Sequence, residues 1–187
     1  MPLTKKRISD SRLRAREIQG NNYKKSLEFQ LIKQRVSINF FKTSRQAVSQ
    51  MKQNKRRAKS DTDKIIVGYG LALALSRDNK HNLALEEVRK TLKIDKENLI
   101  LQTALLEIHL NAENGLEAMA VGQKLLEMNP RNYPISMLYA RALMNQRMYD
   151  EAEITLKELT TKRKSDPQIW YWLAETQGLN KNIIGLH

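Results

Sequence analysis

The sequence contains no cysteine in 187 residues, which excludes disulfide scaffolds, thiolate zinc sites and cysteine nucleophiles. Only 7 glycines and 4 prolines are present, and this scarcity of turn-forming residues argues against a turn-rich β architecture. No apolar run approaches the ~20 residues that a helix needs to span a bilayer. The abundant residues include Leu, Ala, Lys, Arg, Glu and Gln, which are good helix formers, so the composition predicts an all-α chain.

Motifs that carry chemistry are also missing. The basic N-terminus has no apolar stretch behind it, so the pattern does not predict a signal peptide. The sequence has no H-E-x-x-H, G-x-x-x-x-G-K-[ST] or G-x-S-x-G motif. Its histidines lack zinc-ligand spacing, and we expect His109 to be a partly exposed helix residue and His81 a loop residue. The sequence predicts no catalytic residue, no metal ligand and no cofactor, so this chain by itself is not expected to be an enzyme.

The net charge of +13 is distributed unevenly along the chain. Residues 1–60 hold 17 Lys and Arg against 3 Asp and Glu, a net charge of +14. Residues 61–187 hold 16 against 17, a net charge of −1. The change falls at Ser60, where a basic run gives way to acidic residues. We predict three parts: a basic linking helix over 1–22, a degenerate hairpin over 23–60, and repeats over 61–187.

Three alanines recur at a fixed period. Ala84, Ala118 and Ala152 are each 34 residues apart, which is the period of the tetratricopeptide repeat. A small residue is needed there because the two helices of each hairpin approach closely. We therefore predict an all-α fold in which tetratricopeptide-repeat hairpins stack in a right-handed superhelical solenoid. The predicted hairpins cover about 62–94, 98–129 and 133–163.

Residues that favour helix starts accompany this period. Asn98 and Asn132 stand where successive first helices should begin. Asp150 is expected to be the N-cap of a second helix, with acidic residues in its first turn. Asp166 followed by Pro167 predicts the start of a fourth hairpin, since proline is favoured at the first helical position.

The repeats depart from the pattern at several points. Leu106 stands where a small residue is expected, and Gly122 stands where a bulky one is expected. The fourth hairpin is expected to be truncated, with its second helix only beginning at Ile183 and Ile184. Because each repeat buries its apolar face on the next, we expect this end to expose apolar surface and to allow self-association.

The exposed face of each first helix lines the groove of such a solenoid, so its periodicity predicts which side chains contact a partner. The projected set lacks the regular Lys, Asn and Arg pattern of a clamp for a terminal carboxylate. Two interpretations of residues 170–172 stay open: the cluster is hairpin core, or Tyr171 reaches into the groove. The predicted protein-binding residues are Tyr69, Arg77, Thr103, Glu107, Asn111, Met137, Arg141, Asn145, Tyr171 and Glu175.

The basic first third also has two interpretations. Cations on one predicted helix, over about residues 4–19, would attract phosphate-rich partners such as nucleic acid or acidic lipid. Alternatively the charge docks on an acidic neighbouring domain or serves solubility. The second interpretation is favoured, because no nucleic-acid motif with stacking aromatics accompanies the charge. The cations are Lys5, Lys6, Arg7, Arg12, Arg14 and Arg16.

Two stretches near the N-terminus resemble a known family. Residues 2–15, PLTKKRISDSRLRA, and residues 26–32, SLEFQLI, are similar to a segment of bacterial periplasmic zinc metalloproteases with C-terminal tetratricopeptide repeats. This is the family of the beta-barrel assembly-enhancing protease, and the segment follows its catalytic domain. There a His-Pro-Leu-Thr-like stretch starts a linking helix, and a Ser-Leu-x-(Phe/Tyr)-Gln-Leu segment starts the repeats. Met1 stands where the family has histidine.

The resemblance implies a repeat module cut from an exported protease. The zinc ion and the H-E-x-x-H motif would belong to the catalytic domain upstream, so no catalytic residue carries over to this sequence. The implied location is the periplasm. The implied partners are protein substrates, outer-membrane assembly factors and the protease's own catalytic domain. The alternative is a free-standing cytoplasmic adaptor whose basic arm binds nucleic acid or acidic lipid.

Overall fold

The computed structural model describes residues 26–184, with side chains described through residue 181. Within that range the chain is helical and contains no strand, which confirms the predicted all-α class. The helices of this range are α1 (Leu27–Asn39), α2 (Ser44–Arg57), α3 (Asp61–Arg77), α4 (His81–Leu92), α5 (Leu99–Asn111), α6 (Gly115–Met128), α7 (Tyr133–Asn145), α8 (Tyr149–Lys162) and α9 (Pro167–Ile184).

The helices from α3 to α8 form three stacked hairpins. The pairs α3–α4, α5–α6 and α7–α8 begin and end within two residues of the predicted hairpins. Each second helix also packs on the following first helix, and the first helices α3, α5 and α7 contact one another. This stacking buries a row of apolar clusters between neighbouring repeats.

Helices α1 and α2 extend the stack at the N-terminal end of the described range. Both pack on α3, and α1 packs mainly on α3 rather than on its sequence neighbour α2. One apolar cluster runs from Leu31 in α1 to Ile108 in α5. At the charge junction, the Ser60 hydroxyl oxygen accepts a hydrogen bond from the Asp63 amide at 3.0 Å and completes a capping box. The apolar core therefore continues across Ser60, and the change of net charge there affects only the surface.

Two predicted helix starts are confirmed and a third is wrong. The side chains of Asn98 and Asn132 accept hydrogen bonds from the amides three residues on, at 3.2 and 3.3 Å. Asp150 is not an N-cap: that position belongs to Met148, and Asp150 lies in the first turn. The helix starts earlier than predicted because the chain turns at Arg147, whose φ is 59°.

The predicted start of a second helix at Ile183 is wrong. Helix α9 continues through Ile184 as one helix of 18 residues, and no second helix begins at Ile183. The residues between Gly178 and Ile183 include neither glycine nor proline, so nothing in the sequence ends the helix there. The Asn180 amide donates to the Asp150 carboxylate at 2.7 Å and ties this part of α9 to α8. Self-association through these isoleucines stays a prediction, because their side chains lie outside the described part.

Gly122 departs from the repeat pattern because an aromatic ring takes the space of its side chain. The residues 34 before and after it, Val88 and Leu156, are fully buried. A Cβ atom on Gly122 would lie 2.8 Å from Cδ2 of Tyr139 in the next first helix. Tyr139 thus supplies from α7 the bulk that the other repeats supply from their second helices.

The turn inside each hairpin uses the same left-handed backbone conformation. Asn79, Glu113 and Arg147 are 34 residues apart and have φ values of 57°, 59° and 59°. Asparagine tolerates this left-handed region, whereas glutamate and arginine adopt it at a cost of about 1–2 kcal/mol. Two of the three turns are therefore strained.

Replacing Arg147 by glycine is expected to raise the free energy of unfolding by about 0.5–1 kcal/mol. Glycine removes the left-handed strain, and its greater freedom in the unfolded chain cancels part of the gain. Urea denaturation followed by circular dichroism measures the change. Arg147→Ala is the matched control, since it removes the same exposed side chain and keeps the strain. Equal stability of the two variants would contradict the explanation.

Replacing Gly122 by leucine is expected to destabilise the protein by about 1 kcal/mol or more, because the new side chain overlaps the Tyr139 ring. Tyr139→Leu alone should also destabilise it. Added to Gly122→Leu, however, the same change should restore stability, since leucine stands one repeat away on both sides, at 105 and 173. A double-mutant cycle by urea denaturation tests this reversal of sign. Additive losses would show that Gly122 and Tyr139 do not share this space.

Candidate protein-binding groove

The first helices together line a groove of about 580 Å³. Residues one repeat apart take the same place on successive first helices, so their side chains form columns across the groove. Arg35, Tyr69, Thr103 and Met137 form one such column, with 34 residues between successive members. The complete lining is Ile32, Arg35, Tyr69, Leu99, Ile100, Thr103, Glu107, Asn132, Tyr133, Pro134, Met137, Leu138, Arg141, Gln168 and Trp172.

Seven of the ten predicted binding residues line a cavity. Tyr69, Thr103, Glu107, Met137 and Arg141 line the groove. Arg77 and Asn111 line a smaller cleft of about 300 Å³, which Glu107 also borders. The remaining predicted residues line neither cavity and lie exposed near the other end of the stack; these are Asn145, Tyr171 and Glu175.

Some groove residues are buried and have little surface that a partner can contact. Tyr69 is fully buried and Met137 is nearly so, and both form the floor beneath more accessible side chains. Thr103 is partly exposed, and its hydroxyl donates to the Leu99 carbonyl oxygen at 2.7 Å within α5. Arg141 is also partly exposed, and its guanidinium lies 5.1 Å from the ring centroid of Trp172.

Arg35 joins three first helices at one end of the groove. Its Nε donates to the Tyr69 hydroxyl at 2.8 Å, and its Nη atoms donate to the Glu107 carboxylate at 2.6 and 3.3 Å. Burial disfavours the charge on Arg35, but its bonds to Glu107 and Tyr69 outweigh burial and raise the pKa of Arg35. The bidentate pair therefore stays ionised and fixes α1 relative to α5 across α3.

Arg35 is not among the predicted groove residues, although the sequence contains a signal for it. Arg35 stands 34 residues before Tyr69, so α1 continues the register of the first helices. Its partner Glu107 was identified as a groove residue. The pair lines both the groove and the smaller cleft, so it forms the wall between them.

The aromatic cluster divides between core and surface. Trp172 packs against the apolar cluster of α7, α8 and α9 and also lines the groove. Trp170 and Tyr171 are exposed, and the Trp170 indole donates to the Lys164 carbonyl oxygen at 2.8 Å. A hydrogen bond with Glu175 raises the pKa of Tyr171. Trp172 therefore fits the core interpretation. It is also Trp172, and not Tyr171, that lines the groove.

A basic cleft adjoins the groove. This cleft of about 330 Å³ shares three lining residues with the groove and is bordered by Arg131, Lys162 and Arg163. The Arg163 guanidinium lies 4.2 Å from the ring centroid of Tyr133. Within residues 26–184, Arg131 and Lys162 form no ion pair, so two exposed cations face solvent beside the groove.

The histidines differ from the predictions. His109 is buried rather than partly exposed, and its Nε2 lies 3.3 Å from a guanidinium nitrogen of Arg89. Burial and the Arg89 charge lower the pKa of His109. His81 is the first residue of α4 rather than a loop residue. In the described part of the chain, no group of three or more His, Asp or Glu side chains could hold a metal ion, so these residues do not fit a zinc site.

The predicted basic surface falls within residues 1–25, outside the described residues. None of the described helices is long and apolar enough to cross a membrane.

Comparisons with known proteins define the class of fold. A tetratricopeptide-repeat family model matches residues 110–175. The solved structure MamA MSR-1 C2 has a TM-score of 0.60 and 17% sequence identity, covering 83% of this chain and 86% of that chain. The structure MamA AMB-1 C2221 has a TM-score of 0.56 and 19% identity, covering 85% and 93%. No curated protein sequence matches the chain.

The fold is therefore a tetratricopeptide-repeat solenoid, as predicted from the spacing of the alanines. Such solenoids use the concave surface made by successive repeats to bind other proteins. At this level of identity the likeness to the MamA structures shows the fold alone.

Replacing Arg35 by methionine is expected to lower the free energy of unfolding by about 1–3 kcal/mol, since it leaves the buried Tyr69 hydroxyl without a partner. Glu107→Gln should cost only about 0.5–1 kcal/mol, because the ion pair is 39% and 27% exposed and is screened by solvent. Urea denaturation measures both changes. Tyr69→Phe should recover part of the loss in the Arg35→Met background. If Arg35→Met is no more destabilising than Glu107→Gln, the hydrogen bond to Tyr69 contributes no more to stability than the ion pair with Glu107.

Proposed function

We propose that this chain is a non-catalytic protein-binding module that holds an apolar segment of a partner protein in its groove. The predominantly apolar groove carries the proposal, because burial of apolar surface supplies most binding energy at such sites. Trp172 and Leu138 offer partly buried apolar surface beside the floor residue Met137. Large side chains in such pockets are the usual anchors of a protein interface.

The basic cleft indicates the charge of the partner. Arg131 and Lys162 lie beside the groove without carboxylate partners in the described structure. A partner segment whose apolar residues lie next to acidic ones would occupy the groove and pair with these cations. Complementary charge raises the association rate and fixes orientation more than it raises affinity.

The more specific form of the proposal places the module in a periplasmic zinc metalloprotease. There it would bind protein substrates or outer-membrane assembly partners for envelope protein quality control. The resemblance of residues 2–15 and 26–32 supports this form. In the second stretch, Ser26 accepts a hydrogen bond from the Phe29 amide at 3.2 Å as the N-cap of α1, and Leu31 is fully buried. The zinc ion would belong to the catalytic domain of the parent protein.

A photo-crosslinking phenylalanine analogue at Thr103, in the groove, is expected to capture partner proteins from a bacterial envelope extract. The same analogue at Ala120, on the exposed side of second helix α6, is the matched control and should capture few. Mass spectrometry of the adducts then distinguishes the two levels of the proposal. Outer-membrane proteins or their assembly factors would support the protease module. Adducts of equal yield from both positions would contradict binding in the groove.

A variant with reversed charges at Lys5, Lys6, Arg7, Arg12 and Arg14 distinguishes the groove from the basic arm. Crosslinking at Thr103 should survive this change, because the groove is built from residues 32–172. Recovery mainly of nucleic acid, lost on reversal or with added salt, would make the basic arm the functional surface.

A further inference from the structure

An apolar stripe on α1 faces away from the core. Phe29, Ile32, Val36 and Phe40 have exposed fractions of 51%, 56%, 49% and 81%. Their spacing of three and four residues places them on one side of the helix and at its end. The core residue Leu31 lies on the opposite side. The stripe therefore has no partner among the described residues.

The positions that correspond to Val36 and Phe40 in later repeats are buried or partly buried, whereas those that correspond to Phe29 are exposed charged or polar residues. In α3 the position equivalent to Val36 is Gly70, where an added side chain would meet Gln34 of the preceding first helix. Counting 34 residues at a time, Phe40 corresponds to four positions that are all buried: Ala74, Ile108, Ala142 and Thr176. At the Val36 and Phe40 end of this face, each first helix after α1 thus packs on its predecessor, whereas α1 has none in residues 26–184.

We propose that the chain's own residues 4–19 cover this stripe as a helical cap. The segment is predicted helical from its sequence, and 16 helical residues span about 24 Å, enough to cover the 13 residues of α1. The connection over residues 20–26 contains Gly20, which suits a reversal of direction. In that segment Ile8, Ser11, Ala15 and Ile18 recur at three- and four-residue spacing, a pattern that predicts one small, largely apolar face.

An antiparallel arrangement matches the two faces residue by residue. If the chain reverses over residues 20–26, Ile18 lies near Phe29, and Ser11 lies near Val36. The large side chains of α1 would then meet small or branched side chains of the cap, which is favourable for close packing. Ile32 of the stripe also lines the groove, so the cap would border the N-terminal end of the groove. The inference does not depend on the protease assignment.

The cap must bring two basic segments together. Lys5, Lys6 and Arg16 lie away from the apolar face of the predicted helix and would stay in solvent. Arg7, Arg12 and Arg14 flank that face, and their long side chains would reach solvent from its edges. Repulsion between exposed charges is screened within about 8 Å at physiological salt. Burial of the apolar stripe is not screened, so the apolar contact outweighs the repulsion. Solenoids also require terminal elements with a polar outer face, which α1 lacks.

The absence of cysteine from the chain allows a direct test in the full-length protein. Ser11→Cys combined with Val36→Cys should form an intramolecular disulfide under mild oxidation. Leu13→Cys combined with Val36→Cys is the matched control, because residue 13 lies on the opposite side of the predicted helix. We expect the first pair to close at least tenfold faster, measured by non-reducing electrophoresis and mass spectrometry. Circular dichroism verifies that both variants keep the native helix content.

Three results would overturn the proposal. Equal closure rates for the two pairs would show that residues 4–19 hold no fixed face against α1. Failure of the Ser11 and Val36 pair to close would show that the segment lies elsewhere. A covalent dimer linked through Val36→Cys would mean that a second copy of the chain covers the stripe.

Discussion

The close approach of two helices within each hairpin is the constraint on which the rest of the structure depends. Ala84, Ala118 and Ala152 are all fully buried, and a larger side chain at any of them would push the helices apart. Since the three alanines stand 34 residues apart, each hairpin is positioned on the last in the same way. Many other positions in the repeat then acquire an environment that the positions one repeat away share.

Because equivalent positions share an environment, the period of the sequence produces a continuous surface that can bind a partner. Side chains at equivalent positions of the first helices line up, and the groove is the space in front of these columns. Most contacts in a solenoid join nearest neighbours only. Arg35 and Glu107 are an exception, because their ion pair reaches from α1 to α5 over Tyr69 of α3. The N-terminal end of the groove is therefore held as one unit of three first helices.

The period predicted most of the fold and part of the groove. Hairpin positions and the columns at 69, 103 and 137 follow from counting 34 residues, because register alone decides them. The burial of His109 also follows from register, because Leu75 and Leu143, 34 residues before and after it, are both buried. The prediction missed it because it treated the histidine as polar, and the partner Arg89 comes from another helix, α4. The N-cap at Met148 was likewise missed because it depends on the strained turn at Arg147.

Arg35 was missed for a related reason. Ala47, the small residue of α2, stands 37 rather than 34 residues before Ala84, so the second helix of this pair is out of register. That irregularity hid the fact that α1 itself keeps the period, with Arg35 in line with Tyr69. Ala47 follows Arg35 by 12 residues, whereas Ala84 follows Tyr69 by 15, so the chain is three residues shorter before Ala47 and three longer after it. This shifts the second helix without moving the first helices out of register.

Net charge is a poor guide to where an acidic partner would bind this chain. The excess of positive charge lies in residues 1–60, and the repeats over 61–187 have a net charge of −1. Yet the cations beside the groove, Arg131 and Lys162, belong to that nearly neutral part. Carboxylates elsewhere in the repeats balance the count, but several are engaged locally, as Glu153 is with Lys157 at 2.7 Å. At distances within the screening length, local arrangement sets the potential that a partner meets, and that arrangement follows from the fold.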